Sequence, residues 1–80
     1  MPGICKQYLS AGQKYYEEGS YLSAIVSFNK AINYHESAYA YAWRGKAYIK
    51  LGGNEYFYRA LEDFNTAITL KRDKGVFYAW

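Results

Sequence analysis

The chain of 80 residues carries one pattern of residues twice. A Gly-x-x-Tyr motif at positions 12–15 returns 33 positions later, at 45–48. Downstream of each motif, small and large apolar residues recur 36 positions apart, with Ala24, Phe28 and Ala31 matched by Ala60, Phe64 and Ala67. Such a period is typical of chains whose units stack, because one unit cannot bury its apolar face alone. The three-residue difference falls within residues 52–58, where we expect a longer turn or an added half-turn of helix.

Apolar residues lie three or four positions apart through both copies, which is the spacing of amphipathic helices. Pro2 is the only proline, so ring geometry breaks no later helix. Glycines divide the chain instead: Gly19 and Gly52-Gly53 can each end a helix, and Ser37 and Asp73 are candidate N-caps. The pattern predicts an all-α fold with helices over residues 4–18, 20–34, 37–51 and 55–70, followed by a short segment that begins another helix.

Composition limits the class of protein. Apolar residues make up 51% of the chain and charged residues 21%, which is the balance of one small folded domain. The net charge of +3 is only mildly basic, and one cysteine cannot form an internal disulfide. No secretory leader and no membrane-spanning run is present in the sequence, so we expect a cytoplasmic protein without a membrane role.

The order of small and large residues resembles the tetratricopeptide repeat (TPR). On this resemblance, repeat one covers about residues 5–37, repeat two about 38–73, and a third begins within 74–80. The family implies antiparallel helix hairpins stacked as a short right-handed solenoid. The proline that usually closes each repeat is missing, and Glu36 and Asp73 stand near its place. The resemblance rests on Gly12, Tyr15, Ala24, Phe28, Ala31, Tyr41, Arg44-Gly45, Ala47-Tyr48, Leu51-Gly52, Ala60-Leu61, Phe64, Ala67-Ile68 and Leu70.

The resemblance also implies a function, because in such proteins the first helices of successive hairpins line a concave groove that holds a partner peptide. We therefore expect a protein-interaction module or adaptor. Trp43 followed by Lys46 and Lys50 suits a peptide with an apolar residue and carboxylates. Residues of this chain that fall on the implied peptide-binding face are Gln13, Tyr16, Glu17, Tyr39, Trp43, Lys46 and Lys50.

Trp43 has a second interpretation, in which its indole packs against the neighbouring repeat and the two lysines are ordinary solvated charges. The triplet Tyr41-Ala42-Trp43 returns as Tyr78-Ala79-Trp80. This recurrence favours a shared packing role for the tryptophans. Both interpretations stay open at the level of the sequence.

Two other functions are alternatives to peptide binding. The unfinished third repeat, with Val76, Phe77 and Trp80, predicts a self-association end that another copy of the chain would complete. Single-stranded RNA binding is the weakest hypothesis: it rests on cations interleaved with aromatic residues, and acidic residues lie on the same helices.

No residue pattern predicts an enzyme, a cofactor or a metal site. His35 and Cys5 are single and far apart in the sequence, whereas a metal needs several ligands at short spacing. The acidic pairs Glu17-Glu18 and Glu62-Asp63 are interpreted as solvated helix faces. Gly52-Gly53-Asn54 lacks the Lys-Ser/Thr ending of a phosphate-binding loop.

Overall fold

Four helices account for nearly all of the backbone that the structure describes. The structure is a computed structural model, which describes the backbone of residues 2–79 and the side chains of residues 3–71. The helices are α1 (Pro2–Glu17), α2 (Tyr21–Tyr34), α3 (Ala38–Leu51) and α4 (Asn54–Ala79), and residues 2–79 contain no strand. The all-α fold predicted from the sequence is confirmed.

Short turns connect the helices, so consecutive helices run antiparallel. Residues 18–20, 35–37 and 52–53 form the three connections. Gly19, Gly52 and Gly53 have φ of 84°, 80° and 93°, a left-handed conformation that glycine adopts without a steric cost. Ser37 caps α3 as predicted, because its Oγ accepts a hydrogen bond of 3.1 Å from the backbone N–H of Ala40.

The helices form two stacked hairpins. Helix α1 packs on α2, α3 packs on α4, and α2 and α3 join the hairpins, with a smaller contact between α1 and α3. The core runs through all of these contacts, and its fully buried members are small residues around one large ring. They are Ala24, Phe28, Ala31, Ala40, Ala47 and Ala60.

Each hairpin contains the same close approach between a glycine and a phenylalanine ring. A Cβ atom at Gly12 would lie 2.6 Å from Cδ1 of Phe28, and one at Gly45 would lie 3.0 Å from Cε1 of Phe64. Glycine is therefore what lets the first helix of each hairpin lie against the ring of the second. The repeat found in the sequence is present in the packing.

The three extra residues of the second copy lie in a helix and not in a loop. Helix α4 begins three positions further ahead of Phe64 than α2 begins ahead of the matched Phe28. The connection at residues 52–53 is shorter than that at 18–20. Asn54 is thus the first residue of α4. Helix α4 also continues through Asp73 to Ala79. No separate helix begins at residue 74, because no proline follows Leu70 to end α4.

Candidate functional site

Trp43 lies where the two hairpins meet. Its indole is half-buried and stands edge-on to the ring of Tyr16 in α1, with 5.4 Å between ring centroids. The same indole stacks on Phe28 in α2 at 6.2 Å. Edge-to-face and offset-stacked pairs at these distances are the favourable aromatic geometries. Trp43 therefore packs against the neighbouring hairpin while part of its surface still faces solvent.

Lys46 lies over this pair of rings. Its Nζ atom lies 4.2 Å from the centre of the Trp43 ring and 5.6 Å from that of Tyr16. Tyr21, at the start of α2, packs edge-on against Tyr16 at 5.4 Å. We name Tyr16, Tyr21, Trp43 and Lys46 the aromatic-lysine cluster. It presents one ammonium group over polarisable rings, a geometry in which the cation is attracted by the ring faces.

The other residues predicted for the peptide-binding face surround this cluster without joining it. Gln13 is half-buried, whereas Glu17 and Lys50 are exposed. Tyr39 is 68% exposed and lines a cavity near the start of α3. Of the residues predicted for this face, the structure brings Tyr16, Trp43 and Lys46 into contact. The remaining residues lie on the surface around them.

The predicted self-association end consists of Val76, Phe77 and Trp80. The side chains of Val76 and Phe77, and all of Trp80, lie outside the described residues.

Arg44 links three helices through a fork of hydrogen bonds that the sequence analysis did not identify. Its Nε and Nη2 atoms donate to Oδ2 and Oδ1 of Asp63 in α4, at 2.9 and 2.7 Å. Its Nη1 donates to Oδ1 of Asn29 in α2 at 2.8 Å. The hydrogen bonds to Asp63 are the main reason that the pKa of Arg44 is raised above its ordinary value. The guanidinium therefore stays charged and fixes the position of α3 between α2 and α4.

The prediction that the Glu62-Asp63 pair is a solvated face is wrong for Asp63. Its carboxylate is buried, with a side-chain exposure of 6%, and both oxygens bind Arg44. Glu62 beside it is exposed, as predicted. A signal for this pair exists in the repeat itself: the matched positions in the first copy hold Ala11 and Ser27. Two small residues are replaced together by a cation and an anion, which is the change expected of residues in contact.

Tyr41 lies beside Arg44 at the start of α3. Its hydroxyl donates a hydrogen bond of 3.0 Å to Oε1 of Glu36, and the guanidinium of Arg44 lies 5.3 Å from the ring centre. Burial is the largest cause of a raised pKa for Tyr41, and the hydrogen bond to Glu36 adds to it. This hydroxyl stays protonated and ties the turn before α3 to the helix.

A cavity of about 590 Å³ opens between the start of α3 and the second half of α4. Most of its lining surface is apolar, and its charged lining residues are Glu36 and Lys71. Such concave apolar surfaces are where proteins bind ligands or other chains. The lining residues are Glu36, Ser37, Ala38, Tyr39, Ala42, Phe64, Ala67, Ile68, Leu70 and Lys71.

The described chain thus has two candidate binding surfaces, the aromatic-lysine cluster and the apolar cavity. In the part of the chain that the structure describes, no three histidine, cysteine, aspartate or glutamate side chains are grouped as metal ligands. No helix of the described residues is both long and apolar enough to cross a membrane. Comparison with known proteins finds no matching family model, no matching curated protein and no matching solved structure.

Proposed function

We propose that the chain is a TPR-type helical-repeat protein that acts in the cytoplasm as a protein-interaction module, holding a partner peptide against α1 and α3. The observation that carries the proposal is the position of Lys46 over Trp43 and Tyr16. A cation held over exposed aromatic edges offers a peptide an apolar contact and a charge contact at one place. This surface is built by the first helices of both hairpins, so it exists only when the hairpins are stacked.

The partner has a defined chemistry under this proposal. An apolar side chain would lie against the exposed edges of Tyr16 and Trp43. A carboxylate one or two residues away would pair with Lys46, and a second one with Lys50, which is exposed one helical turn further on. Binding of this kind needs no cofactor and no reaction. Its electrostatic part would weaken as salt is raised, because the lysines are solvent-exposed.

The packing of Trp43 determines which variants can test this function. Replacing Trp43 by alanine, alone or with Lys46→Glu, would remove contacts to Phe28 and Tyr16 and so disturb the stack as well as the surface. The sharper variant is Lys46→Glu/Lys50→Glu, which reverses the charges of exposed residues and leaves the rings in place. Lys14→Glu/Lys30→Glu makes the same change of charge at exposed positions off the proposed face.

The experiment is capture of binding proteins from a cell lysate by the three immobilised proteins, each first shown to be folded by helical circular dichroism. We expect proteins with acidic and apolar segments to be held by wild type and by Lys14→Glu/Lys30→Glu, and to be lost with Lys46→Glu/Lys50→Glu. Equal capture by all three proteins would show that the aromatic-lysine cluster is not the binding surface. Segments of the captured proteins are synthesised as peptides and tested for direct binding to the chain.

A further inference from the structure

Helix α4 has fewer neighbours than the equivalent helix of the first hairpin. Among the described residues, α2 packs on both α1 and α3, whereas α4 packs on α3 alone. The exposures of matched residues agree with this difference. Ile25 is 7% exposed but its match Leu61 is 42% exposed, and Phe28 is fully buried whereas its match Phe64 is half-buried. One side of α4 is therefore uncovered where the same side of α2 is covered by α3.

The uncovered side of α4 is an apolar stripe, which we name the free face and define by Phe57, Leu61, Phe64 and Ile68. Their spacing of four, three and four residues places them on one side of the helix, and it is the spacing by which paired helices interlock. Phe57, Leu61 and Ile68 are 49%, 42% and 55% exposed. A contiguous apolar surface of this kind marks a contact with another protein chain.

Half of the free face lines the cavity and half stands beside it. Phe64 and Ile68 line the cavity, whereas Phe57 and Leu61 are not among its lining residues. In the first hairpin the equivalent place is filled, because the indole of Trp43 stacks on the ring that matches Phe64. The cavity therefore fits large apolar side chains. Phe57 and Leu61 are such side chains, but they belong to the same straight helix and cannot reach their own cavity.

The order of the four residues is symmetric about its midpoint, since the spacing is four, three and four from either end. When two such stripes run antiparallel, Phe57 of one copy lies opposite Ile68 of the other, and Leu61 lies opposite Phe64. Every layer then pairs an aromatic ring with an aliphatic side chain, and the residues beside each cavity enter the other. We propose that the free face binds the free face of a second copy of this chain, which forms an antiparallel dimer with two-fold symmetry.

The antiparallel direction has a precedent within the chain. Helix α3 packs on α2 and runs antiparallel to it, because residues 35–37 connect the two helices by a short turn. A parallel pair would instead place Phe57 on Phe57 and one cavity on the other. Both cavities would then stay unfilled, and the atoms that line a void lose their contacts on that side. The symmetric contact also ends the assembly at two copies, since each free face is used once.

The exposed area is sufficient for a small specific interface. Tyr39 lines the cavity from α3 and is 68% exposed, and Tyr58 packs edge-on against Phe57 and is 66% exposed. With about 200 Å² for a whole aromatic side chain, the exposed fractions of these three residues amount to about 370 Å² in each copy. The other members of the free face and its rim raise this to about 600 Å². Two copies together bury about 1,200 Å², the lower end of the range for stable interfaces. We therefore expect a dimer that dissociates on dilution.

Analytical ultracentrifugation of the full chain over a range of concentrations tests whether the dimer forms. Ile68→Glu places a charge on the free face at an exposed position. The matched control is Val26→Glu, because Val26 is 52% exposed on α2 and its match in the second hairpin is already Glu62. We expect wild type and Val26→Glu to approach twice the mass of 9.3 kDa. Ile68→Glu should weaken dimerisation by about tenfold or more, because the interface would bury an unpaired charge.

Disulfide formation tests the direction of the two helices. Phe57→Cys and Ile68→Cys are made separately in a Cys5→Ser background, with tags of different length, and are oxidised alone and as a mixture. A disulfide needs Cβ atoms about 4 Å apart. In the antiparallel dimer the two positions lie opposite each other, whereas each lies about 16 Å from its own equivalent. We expect the mixture to give a species that joins the two tagged proteins, and neither protein to join to itself.

Three results would overturn the proposal. A wild-type protein that stays monomeric over its whole soluble range would exclude a second copy as the occupant, and a protein captured by wild type but not by Ile68→Glu would then assign the free face to another partner. A dimer that Ile68→Glu leaves unchanged would place the interface elsewhere. Disulfides formed by Phe57→Cys alone and by Ile68→Cys alone would show a parallel pair. Peptide capture through Lys46 and Lys50 is measured independently, so either proposal can fail alone.

Discussion

Arg44 and Asp63 form the one buried charge pair among the side chains that the structure describes. The guanidinium and the carboxylate share two short hydrogen bonds, and the exposures of their side chains are 21% and 6%. Burying such a pair costs desolvation that the attraction only offsets when every hydrogen bond is made. Removing one partner is far more harmful, because the other charge is then left buried and unpaired.

We predict that Arg44→Ala lowers the free energy of unfolding by about 3 kcal/mol. The first hairpin supplies the matched rescue, since its equivalent positions hold Ala11 and Ser27. Arg44→Ala/Asp63→Ser should therefore recover much of the loss, because no buried carboxylate remains. Urea unfolding followed by circular dichroism measures both variants. A double variant no more stable than Arg44→Ala would show that the loss does not come from an unpaired Asp63.

Residue roles were predictable where they depend on size and not where they depend on a distant partner. The matched positions of Phe28 and Phe64 identify large residues that fill the hairpins, and Ala24 and Ala60 are fully buried as that pattern requires. The neighbours of Asp63 in the sequence indicate a solvated position, because its partner Arg44 lies 19 positions away. Comparing the two copies position by position would have revealed the pair, because its members change together between the copies.

At the scale of the helices, the glycine of each first helix controls how closely the second can approach. The two sites differ in how freely the phenylalanine ring can move. Phe28 is fully buried, so its ring cannot shift to accept a new methyl group. Phe64 is half-buried and lines a cavity, so its ring can move aside.

We predict that Gly12→Ala destabilises the protein by about 1–3 kcal/mol through overpacking. Gly45→Ala should cost less than Gly12→Ala, because the ring of Phe64 can move aside and the gain in helix propensity is about 1 kcal/mol. Part of that gain is lost, since the new Cβ would also lie 3.3 Å from the backbone oxygen of Ala60. Gly3→Ala is the control, since nothing lies within 4 Å of its Cβ position. Thermal unfolding by circular dichroism measures the series. Equal losses at Gly12 and Gly45 would contradict this account of ring mobility.

Helix positions were largely predictable, and the exceptions have physical causes. Helices α1, α2 and α3 begin and end within two residues of the predicted bounds. The insertion lengthens α4 at its N-terminal end, so the apolar residues downstream keep their positions on the helix. The break predicted at Asp73 is absent, since an N-cap residue permits a helix start but does not stop a helix that already runs through it.

At the scale of the whole molecule, Trp43 couples the two hairpins. Its indole contacts Tyr16 in α1 and Phe28 in α2, so it joins all the elements of the first hairpin to the second. In stacked-repeat proteins, the interfaces between units make the units unfold together. The sequence could place Trp43 on an exposed face or in the stack. In the structure the indole packs against the first hairpin and is half-buried, so its packing role is shown and its role as a peptide anchor stays a prediction.

We predict that Trp43→Ala lowers the free energy of unfolding by about 3 kcal/mol and also lowers the dependence of that energy on urea. The second effect follows because hairpins that no longer unfold together expose less surface in each transition. Leu22→Ala is the control, since Leu22 is 62% exposed on α2. Urea titrations followed by circular dichroism measure both variants. An unchanged urea dependence in Trp43→Ala would mean that other contacts between α2 and α3 suffice to couple the hairpins.

The two sides of the stack differ, because α1 exposes the polar residues Gln7, Ser10 and Lys14. Helix α4 exposes the apolar residues Leu61 and Ile68. A ribosome releases about 5–20 residues per second, amino terminus first, whereas helices form in about microseconds. Each adhesive surface therefore belongs to the hairpin made most recently, and the segment translated next is the first chain to reach it. The order of synthesis and the order of packing coincide, which shields a growing chain from its neighbours on the same messenger RNA.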